Sequence, residues 1–225
     1  MYSEIYNFIA QNKEMFRIFY SVLIALICFI IVFKTDRLFR VSHHQGIRYF
    51  RNAFFFYGIA FILRYLLAKP IYFVNIKIIF EFVMAMASFF LLYSLIWKKI
   101  EGEEKSISSL FNFRIFVFYG FALIIAVLDS IWQSYNFLFS SQIIVFGLAS
   151  IISYNNYKNS KKNSFLGLYF TVMILSLFAW IFNFVWGIFL GLMRLRWVAN
   201  IYALNVLVFL IFLYGVIKAT KRKNG

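Results

Sequence analysis

The chain has 225 residues, 64% of them hydrophobic, with a mean hydropathy of +0.82 and a formal net charge of +15. Too little polar surface is available to coat a core in water, so a soluble globular domain is excluded and an integral membrane protein is indicated. The positive charge sits mainly in short segments between apolar runs, the pattern of membrane orientation, so no nucleic-acid partner is expected.

A helix that crosses the hydrocarbon needs about 20 largely apolar residues. That ruler predicts seven spans, at about 15–33, 53–69, 73–96, 114–132, 136–153, 165–190 and 197–217. No linker long enough to separate domains interrupts them, so residues 1–225 are expected to form one all-α bundle. The N-terminal MYSEIYNFIAQNKEMF lacks a basic region and a small-residue cleavage site. The first span is therefore expected to act as its own uncleaved targeting signal. Cys28 is the only cysteine and can form no internal disulfide.

Between the first two spans runs RLFRVSHHQGIRYFR, residues 37–51. Its arginines, with Leu38, Phe39, Ile47 and Phe50, suit an amphipathic segment lying on anionic headgroups. His43 and His44 are adjacent and have no further ligand at metal-binding spacing, so no metal is expected. The second span carries Arg64 near its middle and ends before Pro70, which resists helical continuation on its N-terminal side. EGEEK at 101–105 lacks the spaced ligands of a calcium loop and reads as a solvated turn. FFFYGIA (54–60) and FVFYGFA (116–122) open the second and fourth spans and hint at duplicated hairpins. Gly187 and Gly191 form a GxxxG in the sixth span, a motif through which a homodimer could form.

Orientation follows from Lys and Arg in the connecting segments. With the N-terminus outside, sixteen fall on the cytoplasmic side: five in residues 34–52, four in 97–114, three in 158–162 and four in 218–223. Only Lys13, Arg17, Lys69, Arg194 and Arg196 fall outside. The predicted topology is N-out and C-in.

Small residues mark the faces of membrane helices that pack on other helices, because they let backbones approach. In the first span Arg17, Ser21, Ala25 and Cys28 are in phase, and in the second Ala53, Tyr57, Ala60 and Arg64. The third aligns Lys77, Glu81, Ala85 and Ser88, and the fourth Ala122, Ala126, Asp129 and Gln133. The fifth offers Asn136, Ser140, Gly147 and Ser150, and the sixth Ser176, Ala179, Asn183 and Gly187. In the seventh, Asn200 and Ala203 share a face and Asn205 lies off it.

Under N-out threading, Arg64, Glu81, Asp129, Asn183 and Asn200 all fall in the outer half of the bilayer. Lys77, Gln133, Asn136 and Ser140 lie nearer the outer rim. The first five are expected to form a ligand or ion pocket and the other four its rim. Lys77 is expected to reach headgroups, which leaves Glu81 and Asp129 as partners for Arg64. Two readings of that cluster stay open. An intramembrane charge is a functional site by default, whereas an Arg–carboxylate pair can also serve only to fix helix register.

No catalytic constellation, cofactor motif or intramembrane histidine set is present, so no enzyme is expected and no cofactor. The seventh span contains no lysine, which removes a retinal chromophore.

The stretch KTDRLFRVSHHQGIRYFRNAFFFYGIAFILRYLL resembles a first-loop pattern in uncharacterised multi-pass membrane proteins of archaea and some bacteria. Similar seven-span modules serve as input domains of sensor kinases. The resemblance, over residues 34–67, implies localisation in the cell membrane. The sequence thus points to a small-ligand or signal-sensing module that relays to a cytoplasmic or membrane partner. Its alternative is a small-solute or proton-coupled transporter or channel.

Overall fold

A backbone in lipid must satisfy its own N–H and C=O groups, and a helix does so within one segment. The computed structural model describes residues 12–42, 44–65, 76–101, 113–159, 164–189 and 195–224. Seven helices fill them: α1 (Lys13–Ser42), α2 (Gln45–Tyr65), α3 (Ile76–Glu101), α4 (Phe113–Ile131), α5 (Asn136–Asn159), α6 (Ser164–Phe189) and α7 (Leu195–Asn224). The fold is all-α, as the hydropathy pattern predicts. Five stretches, Glu14–Arg40, Ile76–Trp97, Asn136–Asn159, Leu166–Val185 and Ala203–Thr220, are long and apolar enough to cross a bilayer. The apolar part of α4, Ile115–Ile131, is shorter, and α2 opens with the polar residues Arg48, Arg51 and Asn52.

Residues 34–52 differ from the sequence expectation. They do not form an amphipathic segment of their own: α1 runs on to Ser42 and α2 begins at Gln45. Thr35, Leu38, Tyr49 and Asn52 are buried. Asp36 accepts a bond from Arg40 Nε at 3.0 Å and bridges to Arg51 on α2. Charged side chains limit where hydrocarbon can surround a helix, but they do not end its hydrogen bonding. Gly46 lets the start of α2 lie close against α3, since a Cβ there would come within 2.5 Å of Trp97 Nε1 and 2.9 Å of the Ser94 carbonyl.

In the packing order, α1, α2, α3, α5, α6 and α7 close a ring in which each helix touches the next and α7 returns to α1. Helix α4 stands outside, against α3 and α5. Helix α3 touches α2, α4 and α5, so every residue from Val83 to Ser88 is buried. On α4 only one face is covered, through Ala122, Ala126 and Asp129, while Phe121, Leu123, Ile124 and Val127 are exposed.

The small-residue rule succeeds on α1 to α4, where Ser21, Ala25, Cys28, Ala53, Ala60, Ala85, Ser88, Ala122 and Ala126 are all buried. Across α1 and α2, Ser21 Oγ donates to the Phe61 carbonyl at 2.7 Å. On α5 the rule holds only for Ser150, which is buried. Asn136 is exposed, and a Cβ on Gly147 would meet nothing within 4 Å. The buried face instead carries Leu138, Gln142, Val145, Phe146, Ala149, Ser150 and Ser153. Here bulk and a hydrogen bond do the packing: Gln142 Nε2 donates to Ser88 Oγ on α3 at 2.9 Å. On α7 the expectation is inverted, with Ala203 exposed and Asn205 turned inward to donate to the Tyr20 hydroxyl at 3.2 Å.

Candidate functional site

The six-helix ring surrounds a cavity of about 350 Å³. Helix α2 lines it from Phe54 through Tyr57 and Phe61 to Arg64, a rise of roughly 15 Å along the axis. One end is polar: Arg17 on α1, Arg64, Asn183 on α6, Asn205 on α7 and Tyr135 at the start of α5 converge there. The other end is aromatic. Helix α2 does not pack directly on α6 or α7, and rings span the gap. The Phe54 and Phe212 centroids lie 5.0 Å apart, Phe50 lies 6.0 Å from both Tyr169 and Phe212, and Tyr169 lies 6.1 Å from Phe212. Between the two ends the wall is mostly apolar, with Met84, Phe139, Phe146, Ala179 and Phe209 among its side chains.

Arg64 stands one residue before the end of the described part of α2, a helix that starts eight residues before the predicted span. Its guanidinium lies over the ring of Phe80 at 4.9 Å and over Tyr135 at 5.8 Å, and it is exposed toward the cavity mouth. The predicted continuation of the span, residues 66–69, lies outside the described residues.

Asp129 has a structural assignment that spacing alone does not reveal. Helix α4 ends in a Schellman turn: Ser134 N–H donates to the Asp129 carbonyl at 3.0 Å, and Gln133 N–H donates to the Ser130 carbonyl at 3.3 Å. Gln133 takes the left-handed conformation (φ 48°) that this turn requires. The buried Asp129 carboxylate then reaches across the turn to the first N–H groups of α5. It accepts Phe137 N–H at 3.0 Å, Leu138 N–H at 2.7 Å and Ser134 Oγ at 3.0 Å. Tyr135 occupies the N-cap position but has no short side-chain acceptor, so Asp129 caps α5 from outside the helix.

Lys77 turns inward rather than toward headgroups. Its ammonium donates to the Asp129 carbonyl at 3.0 Å, lies 3.7 Å from Glu81 Oε1 and sits over the Tyr135 ring at 4.7 Å. Tyr135 therefore has Lys77 and Arg64 both within cation–π range. Glu81 is fully buried, and neither carboxylate oxygen meets a hydrogen-bond partner among the described residues. The fold thus brings Arg64, Lys77, Glu81 and Asp129 to one end of the bundle, linked through Tyr135 and the α4–α5 turn.

Of the other sequence-predicted site residues, Asn183 lines the cavity and donates to the Ala179 carbonyl at 2.8 Å. Gln133 and Asn136 are exposed and Ser140 is half-buried; none of the three lines the cavity. The side chains of Asn200 and Glu101 lie outside what is described, as do Gly191, Glu103 and Glu104, and of Gly187 only the helical backbone is described. Sequence reasoning omitted Arg17, Tyr57, Tyr135, Trp180 and Asn205, which all line the cavity. Arg17 and Tyr57 carried a signal, since each is in phase with the small residues of its helix. Arg17 lies 3.7 Å from the exposed Glu14. Among the described residues that line the cavity, only Arg17 and Arg64 are charged, and both are cationic. No group of three His, Cys, Asp or Glu that could hold a metal occurs among the described residues.

Long apolar helices arranged round an internal cavity define a multi-pass α-helical membrane protein. An uncharacterised protein of Archaeoglobus fulgidus is 28% identical over 215 aligned residues, which cover 88% of this chain and 90% of the archaeal protein. The expected resemblance to uncharacterised archaeal proteins is thus met by a similarity that spans nearly the whole chain. No family model and no solved structure matches the chain.

Proposed function

We propose that this protein is a seven-span, ligand-binding sensory module of the cell membrane, threaded N-out and C-in. The observation that carries the reading is the asymmetry of the cavity: six helices converge on it, one end is polar and the other is filled by rings. Under the sixteen-to-five charge bias, the polar end faces outward. A ligand entering there contacts α1, α2, α5, α6 and α7 at once, and its occupancy biases their packing. The ends of α1 and α2 that carry Asp36, Arg40, Arg48 and Arg51 then face the cytoplasm. They supply a basic surface for anionic headgroups and for a separate signalling partner. The protein performs no catalysis in this reading. Arg64 and Asn183 serve the ligand directly, while Asp129 holds the turn that presents Tyr135.

A second reading, a proton-coupled transporter, draws on Glu81, a buried carboxylate with an ammonium 3.7 Å away. Proteoliposomes separate the two. The sensory module binds ligand saturably and passes neither solute nor protons, whereas sustained flux would establish the transporter. Threading is tested in a Cys28→Ala background: Ser134→Cys should react with an impermeant maleimide from outside intact cells, and Asn163→Cys only after permeabilisation. Labelling of Asn163→Cys from outside would overturn the topology.

A further inference from the structure

We propose that the cavity takes a single-chain amphiphile with an anionic oxyacid head, a carboxylate or a phosphate, an assignment that rests on the ligand-binding reading above. The head sits at Arg64 and Arg17, and the chain extends along α2 toward Phe54 and Phe212. Four observations converge on this class.

The sign of the charge comes first. The charged residues among the described lining are two guanidiniums on neighbouring helices, so a cationic head is repelled and a neutral one, which can accept a hydrogen bond but brings no opposite charge, gains less than an anion. A guanidinium presents a planar fork of donors that matches carboxylate and phosphate oxygens. Arg64 is also oriented in advance by the rings of Phe80 and Tyr135, which lowers the entropy lost when it engages an anion.

Wall chemistry sets the rest of the molecule. Below the mouth, Phe61, Met84, Phe146 and Phe209 leave a mostly apolar passage that suits methylene groups and desolvates polar ones. Size fixes the number of chains. A cavity of about 350 Å³ lies at the low end of the roughly 300–1,000 Å³ usual for small-molecule sites, which suits one chain rather than the two of a membrane phospholipid. Finally, the Tyr57 hydroxyl is buried in the cavity wall without a hydrogen-bond partner among the described residues. A buried polar group of this kind calls for an occupant. An oxygen carried midway along the chain, or a water held beneath it, completes it.

The test uses the full chain in zwitterionic nanodiscs, with empty nanodiscs as the partition blank. Saturable binding is measured for radiolabelled decanoate, decyl phosphate, decanol and decyltrimethylammonium. Decanoate or decyl phosphate should bind at least about tenfold more tightly than decanol, with the cation weakest. The preferred acid names the head. Arg64→Gln should erase the preference by weakening the acid about tenfold while leaving decanol unchanged. Arg17→Gln, on a different helix, should act in the same direction and guards against a folding defect in one variant. Ala179→Trp, which fills the wall opposite, should abolish binding of every probe. Equal binding of acid and alcohol, unmoved by either arginine variant, overturns the anionic head and leaves the ligand cavity standing. Absence of saturable binding for all four probes, or binding that survives Ala179→Trp, overturns the ligand-cavity reading itself.

Discussion

The two ends of the cavity are built by different physics. At the aromatic end, Phe50 and Phe54 on α2 meet Tyr169 on α6 and Phe212 on α7 where the α2 backbone touches neither helix, and dispersion between close-packed rings does the holding. At the polar end, directed contacts hold the α4–α5 turn in place: three donors on the Asp129 carboxylate, Lys77 on its carbonyl, and cations over Tyr135. The first end is dense and indifferent to charge. The second is open and arranged for it. Stability should therefore reside more in the aromatic end, and selectivity in the polar one.

The largest expected effect breaks that comparison from the aromatic side. Phe54 is fully buried and meets Phe50, Phe209 and Phe212. Phe54→Ala should cost about 2–4 kcal/mol in denaturant titration in micelles, toward or below the range for water-soluble cores because lipid supplies little transfer energy between helices. A cost near zero would mean the rings merely fill space.

Asp129→Asn is the intermediate case. Removing the charge from the N-terminus of α5 and replacing one acceptor oxygen by a donor should cost about 1–2 kcal/mol. Hydrogen exchange should quicken first at the Phe137 and Leu138 amides, the two that the carboxylate accepts. Uniform acceleration across the bundle would show that Asp129 acts through something other than the cap.

Arg64→Leu should be the mildest for stability, about 0.5–1 kcal/mol, the size of an exposed cation–π contact. It should nevertheless be the most severe of the three for binding of an acidic amphiphile. If it destabilises more than Asp129→Asn, the guanidinium is a structural member of the polar end and the division between the two ends collapses.

The sequence alone determined that this chain is an all-α membrane protein, where its apolar helices lie, and which face of α1 to α4 packs inward. Those properties follow from hydrophobic length and from the size of side chains at helical spacing, both local quantities. It also brought Arg64, Lys77, Glu81 and Asp129 to notice, because a charge within an apolar run is conspicuous wherever it ends up. Tertiary structure decided what each of them touches. Asp129 caps the next helix because a Schellman turn folds α5 back over it, and no spacing rule reports a turn through Gln133. The inward face of α5 was decided by the gap that Phe146 and Gln142 must fill against α3, and a helix cannot encode that gap by itself. Asn205 likewise became a cavity residue only when α7 closed the ring on α1 and met Tyr20. Phase is written along one helix, whereas a cavity belongs to the space between six.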